Sequence, residues 1–289
     1  MEKSLSAAAP AKINWGLDIT GIREDGYHLV DLLMQTVSLS DILTVIPNET
    51  LSLTLSGELP FSEDNLVLQA ARLLRKVTGC TKGAQIHLDK HIPFGAGLGG
   101  GSSDAACALT LLNQFWELGL QKKELHAIAA CLGADVPFFL YGGLARCTGI
   151  GTELETLPLP STWYLTLVQP EAVSHTGQVY KAFDRLCPEE IRHPDSEGIL
   201  RILHMPPDAS LLSELAASME NVLTAPAVHL YPEIGICLSA MQATGSVCNA
   251  MTGSGSVIFS VHTTPEDAEA CANKMRNAGY RNVYTCVTQ

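Results

Sequence analysis

The stretch from Pro93 to Ala106, PFGAGLGGGSSDAA, constrains this chain more than any other. Five glycines (Gly95, Gly97, Gly99, Gly100 and Gly101) fall within seven positions, and Ser102, Ser103 and Asp104 follow where an alanine- and leucine-rich helical pattern begins. The first N–H groups of a helix lack intrahelical partners, and the aligned peptide dipoles add partial positive charge there. Glycines let backbone N–H groups come close to a phosphate, so a glycine-rich turn opening a helix predicts an anion site. No lysine follows the glycines, which excludes the P-loop form. The dinucleotide form G-x-G-x-x-G matches at Gly95, Gly97 and Gly100, but so glycine-rich a run satisfies it almost automatically. The run also follows Pro93 rather than a strand, and no acidic residue ends a clear second strand downstream. A flexible linker does not fit either, because the run leads straight into an apolar-periodic helix.

An anion site is notable in a chain with net charge −12, which disfavours nucleic-acid and anionic-membrane partners. An anionic substrate then needs local positive charge, and this directs attention to lysines near the glycines. With 289 residues, 46% of them hydrophobic, the chain can build a sizeable core in one large or two modest domains. Nine cysteines lie scattered without C-x-x-C spacing, an arrangement that fits a reducing, cytoplasmic compartment rather than a disulfide framework or a zinc site. No apolar run approaches a membrane span, and the start shows neither signal-peptide nor transit-peptide patterning.

Alternation from Ala11 to Ile19 predicts a half-buried strand, with Ile13, Trp15, Leu17 and Ile19 on one face and Lys12, Asn14 and Asp18 on the other. Arg23 to Gly26 is a turn, followed at once by Tyr27 and His28. Further strands are expected at 39–46, 51–55 and 84–88, with a helix over about 65–77 capped by Asp64 and closed by Gly79. The central helix starts near Ser102, and a second covers about 123–132. Pro158 and Pro160 mark a domain boundary, dividing the chain into 1–160 and 161–289. The second half alternates strand 163–169, helix 176–186, helices 211–222 and 234–243, hairpin strands 247–251 and 256–262 joined by TGSGS, a helix started by Thr264-Pro265, and a strand at 282–287. The segment 188–207 shows no assignable pattern. Strands with helices on one face give an α+β sandwich.

AKIN at Ala11–Asn14 with DGYH at Asp25–His28, the glycine stretch, and TGSGS at Thr252–Ser256 together resemble the three motifs of the GHMP kinases, ATP-dependent kinases of small molecules. The resemblance runs over nearly the whole chain. DGYH combined with GADVPFF at Gly133–Phe139 narrows it to members that phosphorylate a cytidine-diphosphate-linked methylerythritol on the non-mevalonate route to isoprenoids. The fold implied is two-domain α+β: a ribosomal protein S5 domain 2-like N-terminal domain and a ferredoxin-like C-terminal domain, with ATP and substrate in the cleft between the halves.

The resemblance also implies roles. Lys90, Pro93, Gly95, Ala96, Gly97, Leu98, Gly99, Gly100, Gly101, Ser102 and Ser103 would surround the ATP phosphates, with Ser102 or Ser103 at Mg²⁺. Asp135 would be the general base and Lys12 its partner. Tyr27, His28 and Tyr180 would hold the cytidine, with Asn14, Thr176, Gly253 and Gly255 also near substrate. Phosphoryl transfer needs these residue types: an oriented hydroxyl, an acceptor for its proton, and cations at the transferring group. A lysine beside the aspartate would keep the carboxylate ionised.

Plainer structural readings stand beside these. Asp135 fits a helix N-cap, with Pro137 in the first turn. Lys12 would ordinarily be a solvated strand lysine, Tyr27 and His28 cover for a hairpin end, and TGSGS a simple turn. Asp104 reads as a first-turn residue favoured by the helix dipole rather than a metal ligand, and Arg146 as a substrate contact. The rivals to the kinase reading are a relative acting on homoserine, mevalonate or a sugar, a nucleotide-binding protein without turnover, and a dinucleotide-dependent oxidoreductase.

Overall fold

The computed structural model describes residues 4–56, 64–186 and 191–289. The chain divides into two compact units: Met1–Ala11, Ser40–Phe94 and Gly99–Gly142 form the first, and Lys12–Leu39, Gly95–Leu98 and Gly143–Gln289 the second. Two long paired strands, β1 (Leu5–Ile22) and β2 (His28–Ile46), contribute residues to both.

In the first unit, the end of β2 pairs antiparallel with β4 (Ala84–Asp89), and β4 pairs parallel with β3 (Leu51–Ser56). Helices α1 (Leu66–Thr78), α2 (Gly100–Phe115), α3 (Lys122–Ala130) and α4 (Val136–Tyr141) complete it. Leu43, Val45, Ile86 and Leu88 of the strands pack with Leu74, Leu109, Leu112 and Trp116 in one buried cluster. Burial of each such side chain contributes about 1.5–3 kcal/mol before chain entropy is counted. The N-cap of α1 is Asn65, not Asp64: the Asn65 Oδ1 accepts from Val67 N at 2.9 Å, and Gly79 closes the helix with φ +69°.

In the second unit, the start of β2 pairs antiparallel with β5 (Leu144–Thr148), and β5 with β6 (Glu153–Thr156). A separate antiparallel sheet is formed by β7 (Tyr164–Gln169), β8 (Asn249–Met251), β9 (Ile258–His262) and β10 (Asn282–Val287), in the order β10-β7-β9-β8. In order of appearance this is 4-1-3-2, the split β-α-β arrangement expected of a ferredoxin-like domain. Its helices are α5 (Thr176–Phe183), α6 (Ser196–Leu203), α7 (Leu211–Ser218), α8 (Thr224–Leu230), α9 (Pro232–Ala243) and α10 (Pro265–Asn277). Thr264 caps α10, its Oγ1 accepting from Asp267 N at 3.1 Å.

Two helices escape the sequence reading. The patternless segment 188–207 contains α6, capped by Asp195, whose Oδ1 accepts from Gly198 N at 3.0 Å and whose Ile199, Ile202 and Leu203 are buried; the start of that segment lies outside the described residues. Helix α8 follows a turn closed by Thr224 N donating to Asn221 O at 2.8 Å, which sequence periodicity does not disclose. The half-buried β1 is also corrected. Lys12 and Asn14 are as buried as the apolar face, because Lys12 N donates to Leu98 O at 3.0 Å and Asn14 meets the 252–253 turn.

No helix among the described residues is long and apolar enough to cross a membrane. The eight described cysteines are all free thiols.

Candidate active site

In the second unit, three segments remote in sequence meet around one amide. The Oδ1 of buried Asn14 accepts from Lys12 Nζ at 2.6 Å, Gly253 N at 3.0 Å and Thr252 Oγ1 at 3.2 Å, and Asn14 N donates back to Thr252 Oγ1 at 3.1 Å. This ties AKIN to TGSGS. A third segment, 95–98, joins them. Ala96 and Leu98 are buried anchors whose carbonyls accept from Val257 N and Lys12 N, while Gly95 and Gly97 hold φ of +63° and +76°. A Cβ at Gly97 would lie 2.3 Å from Thr252 O, and one at Gly253, where φ is +58°, would lie 2.9 Å from Gly97 O. These glycines permit a backbone-to-backbone approach that no other residue allows.

Asn221 is a clamp that sequence reading missed. Its Nδ2 donates to Met251 O at 2.9 Å and Gly253 O at 2.8 Å, and its Oδ1 accepts from Leu223 N at 3.0 Å. A lone asparagine in SMENVL carries no signal for this task. Gly255, with φ +86°, completes the turn, and a Cβ there would lie 2.9 Å from Met251 Sδ. Ser254 is linked to Thr176 (Oγ to Oγ1, 2.8 Å), and its carbonyl accepts from Ser174 Oγ at 2.6 Å.

His28 and Tyr180 also belong to this unit and are brought together, with ring centroids 4.9 Å apart. Phe183 stands edge-on to His28 at 6.5 Å, and His28 Nε2 lies 2.6 Å from Asp184 Oδ1. Tyr27 is 62% exposed, with the Arg23 guanidinium 5.7 Å from its ring centroid. The Arg146 guanidinium is engaged by Asp31, Nε to Oδ1 at 2.8 Å and Nη2 to Oδ2 at 2.5 Å. That fork is taken up within the β2–β5 pair.

The first unit holds the start of α2. Gly99, with φ +72°, is its N-cap, and no side chain caps the helix. The helix begins two residues earlier than its composition suggests, so Asp104 lies beyond the first turn and the first-turn reading of it is corrected. Ser103 Oγ and Asp104 Oδ1 are buried without a hydrogen-bond partner, and Ser102 is half-buried. An uncapped helix N-terminus beside an orphaned buried hydroxyl fits an anionic group such as a phosphate. Ser103 also lines a cavity of about 190 Å³ walled by Ala7, Pro10, Cys107 and Phe139. Among the described residues no cluster of three His, Cys, Asp or Glu side chains is placed to hold a metal ion.

Lys90, expected to face a nucleotide, has its ammonium between two carboxylates. It pairs with Asp41 and lies 2.7 Å from Asp104 Oδ2. Fully buried Asp41 extends this anchor, since its Oδ1 accepts from His91 N at 2.5 Å and Ile92 N at 2.8 Å, the residues leading into Pro93. Burial, with Asp41 adding to it against the pull of Lys90, pushes the Asp104 carboxyl up to about 7. A Cβ at Gly100 would lie 3.4 Å from Lys90 Nζ and 3.1 Å from Ile92 Cγ2, so the anchor fits closely under the helix start. Asp41 was invisible in sequence because it sits inside an ordinary strand pattern.

Asp135 occupies the N-cap position of α4, with Pro137 in the first turn, yet its side chain makes no capping hydrogen bond. Position alone therefore does not account for the carboxylate.

The GHMP kinases N terminal domain family matches residues 65–143 and the GHMP kinases C terminal family matches 201–281. The chain is 39% identical over 285 residues to the 4-diphosphocytidyl-2-C-methyl-D-erythritol kinase of Prosthecochloris aestuarii, covering 98% of this chain and 97% of that protein. It is 42% identical over 279 residues to the protein of the same name from Paramagnetospirillum magneticum, covering 94% of each. A crystal structure of 4-(cytidine 5'-diphospho)-2C-methyl-D-erythritol kinase superimposes with a TM-score of 0.83 at 35% identity, over 98% of this chain and 99% of that one. The chain belongs to the 4-diphosphocytidyl-2-C-methyl-D-erythritol kinase family of the GHMP kinases.

Proposed function

We propose that this protein transfers a phosphoryl group from ATP to the 2-hydroxyl of 4-diphosphocytidyl-2-C-methyl-D-erythritol, giving the 2-phosphate and ADP. This is a cytoplasmic step of the methylerythritol phosphate route to isoprenoid precursors. Near-full-length identity to proteins of that name carries the reading. The uncapped start of α2, with its orphaned Ser103 hydroxyl, supports the ATP part of it. The family matches fall on either side of residue 160, which supports a division into an N-terminal domain, 1–160, and a C-terminal domain, 161–289.

ATP with Mg²⁺, when bound, supplies the γ-phosphoryl group and neutralises part of its charge. The backbone N–H groups at the start of α2 and residues 93–101 hold the phosphates, and Ser102 or Ser103 is the hydroxyl for Mg²⁺. Asp135 accepts the proton of the acceptor hydroxyl. Lys12, held by Asn14, supplies positive charge to the reacting oxygens. Tyr27 and Tyr180 stack on the cytosine, His28 reads its edge, and Asn14, Thr176, Gly253 and Gly255 line the remainder of the substrate site. Lys90 serves the nucleotide site through the loop it anchors.

The test is ADP release with Mg²⁺, ATP and the cytidylated substrate, comparing wild type with Asp135→Asn. Turnover that requires the cytidylated compound and falls by about 10²-fold or more in the variant is expected. Activity on homoserine, mevalonate or a sugar instead would overturn the substrate. Nucleotide binding without any phosphorylated product would overturn the kinase reading.

A further inference from the structure

The contact between His28 and Asp184 bears on how the base is selected. Asp184 is the C-cap of α5, one turn beyond Tyr180 and adjacent to Phe183, so a single helix end supplies all three neighbours of the His28 ring. His28 has only 14% of its side chain exposed, and its Nε2 lies 2.6 Å from the Asp184 carboxylate. An ionised carboxylate has no proton to donate, so Nε2 carries the hydrogen in this bond. In the neutral ring the other nitrogen, Nδ1, is then an acceptor. Nδ1 makes no hydrogen bond to the described residues and is not among their buried, unpartnered atoms, so it is open to a ligand.

We infer that Asp184 is a positioning residue for base specificity: by fixing the proton of His28 on Nε2 it presents Nδ1 as an acceptor, selecting cytosine over uracil. The inference rests on the cytidine-binding reading of His28 given above. Cytosine offers its N4 amino group as a donor where uracil offers the O4 carbonyl. An acceptor at Nδ1 pairs with the first and sets lone pair against lone pair with the second. Leaving such groups unpaired in a site built for a hydrogen bond costs a large factor in affinity. Tyr180 and Phe183 supply contact area but cannot make this distinction, since both bases have similar faces.

The experiment measures dissociation constants for CDP and UDP with wild type, Asp184→Asn and Asp184→Glu, alongside turnover of the cytidylated substrate. The wild type is expected to favour CDP by about ten- to a hundredfold. In Asp184→Asn the acceptor-only carboxylate that holds the ring proton on Nε2 is replaced by an amide that can present either its oxygen or its NH2, so the proton is no longer fixed and Nδ1 is no longer held as an acceptor. The CDP:UDP ratio should then fall by about tenfold or more. Asp184→Glu, which keeps an acceptor, should retain most of the preference. A merely structural role would weaken both nucleotides equally and leave the ratio unchanged, and an unchanged ratio in Asp184→Asn overturns the inference. If the wild type neither turns over the cytidylated substrate nor binds CDP, the cytidine reading itself fails, a result distinguishable from the first.

Discussion

Lys90 Nζ lies 2.7 Å from Asp104 Oδ2 while also pairing with Asp41, so one buried ammonium joins β2, the residues before the glycine loop, and α2. Its side chain is 8% exposed, and those of Asp41 and Asp104 are 0% and 4% exposed. Removing one member of such a group leaves uncompensated buried charge. Lys90→Met should therefore destabilise the protein by about 3–5 kcal/mol in urea unfolding. Adding Asp104→Leu to that variant should recover part of the loss, because a repelling carboxylate is removed. Additive losses would show that the two side chains are not energetically linked.

The Asp104 carboxyl titrates near 7, raised chiefly by burial from an ordinary value of 3.8. Between those values the folded protein holds a proton that the unfolded chain releases. Its contribution to stability is therefore full below about pH 4 and is lost as pH rises through 7. Asp104→Asn should lack this component. Unfolding midpoints measured from pH 4 to pH 8 should show wild type losing stability relative to the variant as pH rises, and parallel curves would refute the assignment.

His262 should give the opposite slope. It is 7% exposed, and burial pulls its pKa down from 6.5 to about 4. The Thr166 hydroxyl donates to Ala268 O at 2.8 Å, which leaves Thr166 Oγ1 to accept from His262 Nε2 at 3.1 Å. The unfolded chain takes up a proton below 6.5 that the folded protein refuses until about 4, so stability is present above 6.5 and is lost as pH falls through 4. His262→Gln should flatten the decline between pH 6.5 and 4, as read by thermal unfolding at fixed ionic strength.

Two glycines of the same sequence run, Gly97 in the loop and Gly101 in the helix, should respond differently to alanine. At Gly97 the new Cβ would sit 2.3 Å from the Thr252 carbonyl oxygen with φ at +76°, so Gly97→Ala must displace backbone and should cost more than about 1 kcal/mol together with most of the activity. At Gly101, inside α2, the nearest atom is Leu66 Cδ1 at 3.6 Å, an ordinary contact. Gly101→Ala should leave stability unchanged or raise it by about 0.5–1 kcal/mol, through the better helix propensity of alanine. Chemical denaturation of both variants checks the pair.

Much of this protein is determined by its sequence alone, because local patterns carry it. Period-2 and period-3.6 hydrophobicity located β3, β4, α1, α3, α10 and the β8–β9 hairpin, since each buries one face regardless of its partners. The glycine run before α2 is similarly local: positive φ at Gly95, Gly97 and Gly99 is a demand that only glycine meets cheaply. Elsewhere the tertiary structure decided. Alternation in β1 says only which residues share a face, and both faces turned out to be covered, making Lys12 and Asn14 interior groups rather than solvated ones. Helix α6 spans only eight residues, so the period set by Ile199, Ile202 and Leu203 is short and is masked by the prolines and charged residues around it. Lys12 apart, the partners of Lys90, His28 and Asn14 lie 14 to 239 positions away. Such polar groups acquire a task only when folding brings acceptor and donor together, which no single stretch of chain encodes.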